Sequence, residues 1–165
     1  MRAILVLAVA LLLVPAAASQ QSASIDPPAT EHLLLQLQAK GVQIYSCTSD
    51  RGTAAWKLQG PDAKLLDSKG AEAGTHFAGP TWKLADGSEV KASPVANKPA
   101  SDPGSVPWLL LKVASHAGSG KLDQAAYVTR TNTHGGVAPA SGCDAEHQGQ
   151  ETRVSYSATY TFYGH

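Results

Sequence analysis

The closing stretch RVSYSATYTFY, Arg153 to Tyr163, alternates without a slip. Val154, Tyr156, Ala158, Tyr160 and Phe162 face one way, and Ser155, Ser157, Thr159, Thr161 and Tyr163 face the other. A period of two in residues of high strand propensity describes a strand with one apolar face turned to a core. The same grammar extends back along the chain. AAYVTRTNT is rich in β-branched residues, and VPWLLLKVAS is a near-continuous apolar run that fits a strand buried on both faces, followed by the loop HAGSG. In PTWKLADGSEVKA two strands meet at Asp86-Gly87, a pair that supplies the positive φ angles of a tight turn.

Nearer the N-terminus the breaks are glycines. HLLLQLQAKGVQIYSC opens with a possible helix cap at Thr30, but its apolar residues alternate on both sides of Lys40-Gly41, which predicts a hairpin there. TAAWKLQG predicts a strand ended by Gly60-Pro61, and AKLLDSKG another ended by Lys69-Gly70. Roughly eight or nine short strands with little helix between them indicate an all-β fold, an antiparallel sandwich or a jelly-roll-like barrel. The Pro-containing stretch from Ser93 to Ser105 reads as a mobile surface loop.

The N-terminal MRAILVLAVALLLVPAAASQ has an early cation, Arg2, an apolar run from Ile4 to Val14, and small residues at Ala16 to Ala18. This pattern predicts a secretory signal peptide over residues 1–18. Its apolar run is short of the roughly 20 residues needed to span a bilayer. Residues 19–30, rich in Ser, Gln, Ala and Pro, read as a flexible leader, and residues 31–165 as a single β domain. Without the signal, 12 Lys and Arg face 13 Asp and Glu. Such a balance carries no footprint for nucleic acid, and no membrane span is expected after cleavage.

Cys47 and Cys143 are the two cysteines of an exported chain, so a disulfide is the preferred reading. The competing one is a metal site built on CDAEH, with Cys143, Asp144 and His147 as ligands.

The motifs GVQIYSC, HFAGPTW with DGSEV, PWLLL, YVTRTNTHGGVAP and YSATYTFY resemble an uncharacterised secreted family of bacteria and fungi, domain of unknown function 3455. The resemblance covers nearly all of the mature domain and implies an exported, mostly β protein without an agreed activity. Some fungal relatives carry a dehydrogenase name. Here GSGK and HGGVAP neither open a helix nor follow dinucleotide spacing, so no cofactor is expected. A G-x-S-x-G elbow is absent as well, and no catalytic residue is assigned.

What remains is a set of polar and aromatic residues that loops at one end of a β-fold can gather. The candidate ligand-binding residues are His76, Trp82, Asp86, Arg130, Thr133 and His134. His76 reads as a ligand contact, proton relay or metal ligand, or as a histidine donating to a backbone carbonyl beside Gly79-Pro80, and the last is preferred. Arg130 reads as an anchor for an anion or, preferentially, as the partner of Asp86 or another carboxylate. Trp56, Trp82 and Trp108 offer a platform for sugar rings, but Trp82 and Trp108 are read as core.

The expected function is a secreted or periplasmic binding or envelope-associated module with a small pocket near His76 and the 132–139 loop. Its partner is a small molecule, a glycan or an envelope component. The alternative is a metal-binding protein or metal-assisted hydrolase using His76, His134, Asp144 and His147.

Overall fold

The computed structural model describes residues 24–165, and the signal peptide expected over residues 1–18 lies outside the described residues, as does the start of the leader. The described residues form eight antiparallel strands: β1 (His32–Asp50), β2 (Thr53–Leu66), β3 (Glu72–Phe77), β4 (Thr81–Leu84), β5 (Glu89–Lys98), β6 (Trp108–Ala117), β7 (Ala125–Gly135) and β8 (Glu151–Gly164). Each pairs with its neighbour in sequence, and β1 pairs with β8, so the sheet closes into a barrel. This is an up-and-down meander without the crossovers of a jelly roll, and closure leaves no sheet edge open. Among the described residues the helical content is a single 3-10 turn, Ala145–His147. Among the described residues no helix is long and apolar enough to cross a membrane.

The alternation in β8 holds: Tyr156, Ala158, Tyr160 and Phe162 all enter the core. They meet Leu37 and Ala39 of β1, Leu65 of β2, Trp82 and Leu84 of β4, and Val128 of β7. On β6, Leu111 joins this core and Leu109 and Val113 pack against it. Trp108 is one residue out of phase, and so it is half-buried outside the core, its ring beneath Lys98 Nζ at 4.8 Å. Core was the expectation for Trp108; strand alternation overrides it.

Two predicted breaks are not breaks. β1 runs unbroken through Gly41, which pairs with Ala63 on one side and Tyr156 on the other. A Cβ at this position would strike the Asp62 carbonyl and Ala63, so the glycine permits close approach of two strands rather than a turn. β2 likewise passes through Gly60-Pro61, where Gly60 has φ of 144° and the register with β1 shifts between Ile44 and Tyr45. Such a shift is a bulge that bends a strand without ending it. The expected loop from Ser93 is strand as far as Lys98, again with a register shift, between Pro94 and Ala96.

Gly41→Val is expected to lower the unfolding free energy by about 1–3 kcal/mol, because the branched side chain is forced against backbone that is itself held in the ladder. Urea unfolding of wild type and variant measures this, and an unchanged midpoint would show that the strands can part there.

Antiparallel order gathers the β1–β2, β3–β4, β5–β6 and β7–β8 connections at one end of the barrel, called here the mouth. Cys47 on β1 and Cys143 in the β7–β8 connection form a disulfide at that end, with Cα atoms 5.3 Å apart. Around it Cys47 N donates to Gln150 O and Gly149 N to Cys47 O, while Trp56 Nε1 donates to Ser141 O. The longest mouth loop is thereby fastened to β1 and β2.

Candidate functional site

Below the mouth the barrel holds a cavity of about 220 Å³. Every strand contributes to its wall. Gln43 comes from β1, His76 from β3, Trp82 from β4, Arg130 from β7 and Tyr160 from β8. Pro61, Pro94, Leu109 and Leu111 supply apolar wall from β2, β5 and β6. Trp82, Tyr160 and Leu111 belong also to the core and so form the boundary between packed interior and empty space. Leu58, 56% exposed, stands on the open side.

Register explains the convergence. Arg130 lies directly opposite Tyr160 on β8 and Leu109 on β6, and His76 opposite Trp82. In antiparallel strands opposite residues share a face, so these five side chains enter the same interior.

His76 is buried and its ring stacks on Trp82 at 4.4 Å between centroids, with an interplanar angle of 7°. Tyr160 meets both rings edge-on, at 4.8 and 5.2 Å. Nδ1 of His76 lies 2.8 Å from Thr81 O, and since a carbonyl only accepts, Nδ1 carries the proton and Nε2 is the acceptor. Burial lowers the imidazole pKa to about 3, opposed by the Thr81 hydrogen bond and assisted by the nearby Arg130 charge. Burial raises the phenol pKa values of Tyr45, Tyr156 and Tyr160. Both Trp82 Nε1 and Gln43 Oε1 are buried and lack a hydrogen-bond partner, a costly state for interior polar atoms.

Among the described residues, Arg130 is the one charged side chain in the cavity wall. Its Nε and Nη2 donate to Pro107 O at 3.1 and 2.8 Å, which fixes the guanidinium plane. Among the described residues no carboxylate forms an ion pair with it. The expected partner, Asp86, sits in the β4–β5 turn at the opposite end of the barrel. There Asp86 accepts from Ser88 Oγ at 2.6 Å and from the Lys121 amide, which hold its pKa down at about 2.

Of the residues expected to bind a ligand, then, His76, Trp82 and Arg130 come together, while Asp86, Thr133 and His134 lie elsewhere. Thr133 is buried with Oγ1 donating to Val106 O. His134, exposed, meets Asp102 at 2.9 Å. Residues 132–139 do not reach the cavity wall. A register shift between Thr131 and His134, with Asn132 at φ of 48°, turns β7 away there. Gly136 instead backs onto Gln43 and accepts from Tyr45 Oη at 2.6 Å, so this loop buttresses the cavity from outside.

The alternative metal set is dispersed. His76 is inside the barrel, His134 is with Asp102, and His147 ends the 3-10 turn that Asp144 caps, its Nδ1 2.6 Å from Asp144 Oδ1. Cys143 is in the disulfide. Among the described residues no three His, Cys, Asp or Glu side chains are grouped to hold a metal ion. Gln43, Tyr160 and Leu109 were missed as wall residues. Each occupies an inward position of an alternating strand, a signal that marks the interior without separating core from cavity.

The profile of one family, described as a protein of unknown function (DUF3455), matches residues 28–164. No curated protein and no solved structure matches the chain.

Proposed function

The chain belongs to the DUF3455 family, whose description carries no activity, and from its barrel we propose an exported protein that binds a small organic molecule in the cavity beside His76. The observation that carries this reading is the cavity itself, walled by all eight strands and floored by the His76–Trp82–Tyr160 cluster. Eight-stranded barrels are wide enough to hold one small ligand, and sites of this kind are apolar with a few convergent polar groups. Apolar cavities of roughly 150 Å³ accept benzene, so about 220 Å³ suits a single substituted ring.

Binding is favoured over catalysis by the state of the titratable groups in the wall. His76 is neutral, with its pKa lowered to about 3, and the Tyr160 pKa is raised. Arginine stays charged at any working pH, so no wall residue is poised to transfer a proton near neutrality. Among the described residues, Ser, Cys, Asp and Glu do not line the wall. Export is supported by the signal-like N-terminal sequence and by the disulfide, a bond suited to oxidising compartments. A secreted or periplasmic setting fits a module that receives a small molecule or envelope component.

Calorimetry and tryptophan fluorescence with indole and phenol, both neutral single-ring probes, test the reading. Saturable one-to-one binding is expected, abolished by Leu109→Trp, which fills the cavity. Undiminished binding to the Leu109→Trp protein would move the site elsewhere.

A further inference from the structure

We propose that the ligand of this cavity is a small organic carboxylate, an apolar body bearing one anionic group that Arg130 binds. The inference rests on the reading of the barrel as a binding protein and adds the chemistry of what it binds.

A guanidinium carries five N–H donors in a rigid fork. Arg130 commits two of them to Pro107 O and turns another toward the Tyr160 hydroxyl, which leaves two and holds the plane in place. Arg130 is half-buried with its guanidinium still open to solvent, and the chain supplies no carboxylate for it among the described residues. Arg130 is therefore prepared for an anion that arrives from outside. Planar, two-oxygen carboxylate is the shape that the fork matches.

Other features of the wall narrow the ligand. Leu58, Pro61, Leu109 and Leu111 demand an apolar body, because polar groups placed against them would lose water without replacement. Trp82 Nε1 is a buried donor without an acceptor and Gln43 Oε1 a buried acceptor without a donor. Both atoms are closed to solvent and to the cavity as it stands, so they are not contact points for a ligand. His76 Nε2, the acceptor nitrogen of a neutral ring, is the place for a hydroxyl or amine on the ligand.

The test compares 4-hydroxyphenylacetate with its neutral amide on the intact protein by calorimetry. The acid is expected to bind at least about tenfold more tightly, the scale of hydrogen bonds to charged groups. Arg130→Gln is expected to weaken the acid by a similar factor and leave the amide unchanged. The wild-type comparison stands even if Arg130→Gln folds poorly, because it needs no variant. Equal affinity of acid and amide would overturn the carboxylate assignment while leaving a binding barrel in place. Failure of acid, amide, indole and phenol alike would overturn both.

Discussion

Reducing the Cys47–Cys143 disulfide, or replacing both cysteines with serine, is expected to cost about 4–5 kcal/mol of unfolding free energy. The bonded residues are 96 apart in sequence, so the bond removes the entropy of a very large loop from the unfolded chain. That is a large share of the roughly 5–15 kcal/mol that holds a domain folded. Urea unfolding with and without reductant measures the loss. A shift of under about 1 kcal/mol would mean that the unfolded chain already holds the two ends together. The bond also secures the β7–β8 connection to β1 at the mouth, where Cys47 N and O are both engaged by that connection. Protease nicking between residues 137 and 150 is therefore expected to quicken on reduction before global unfolding.

The barrel was legible where side chains alternate and illegible where the backbone itself does the work. β8 announces its inward face because every second residue is apolar or aromatic, and the core uses those residues. Gly41 and Gly60 were read as ends of strands because glycine marks a turn and a close backbone approach equally well. Only the register of β2 against β1 distinguishes them. β3 gave almost no signal: its inward residues are Gly74 and His76, neither of which looks like core. Merging two pairs of predicted strands and adding β3 brings the expected count back to eight, so the number agreed while two boundaries did not.

The site followed the same division. His76, Trp82 and Arg130 stood out by residue type, but their meeting depends on barrel closure, which brings the β3–β4 and β7–β8 pairs to one interior. Asp86 is ten residues from His76 in sequence and at the other end of the barrel, because β4 runs the distance between them. The pairing of Asp86 with Arg130, read from charge alone, is one that barrel geometry forbids. An arginine without its expected partner is what turns an interior void into a candidate site.

Acidification should destabilise the protein through His76 from about pH 6.5 downward. In the unfolded chain this imidazole takes up a proton near pH 6.5, while in the barrel burial lowers the value to about 3. Between those values the unfolded state holds one more proton, so stability is full above pH 6.5 and falls as pH drops, by about 1.4 kcal/mol per unit. From pH 6.5 to pH 4 the loss amounts to roughly 3 kcal/mol. Asp86, whose pKa is held at about 2, begins to contribute only below its ordinary value of 3.8, outside this window. His76→Gln removes the titration while retaining a side-chain donor in reach of Thr81 O. At pH 7 it should cost about 1 kcal/mol, the stacking on Trp82 being of that order. Its stability should then stay nearly flat down to pH 4, so that the variant overtakes the wild type in acid. Parallel pH profiles for the two proteins, measured by urea unfolding, would show that His76 is solvated enough to accept its proton within the folded barrel.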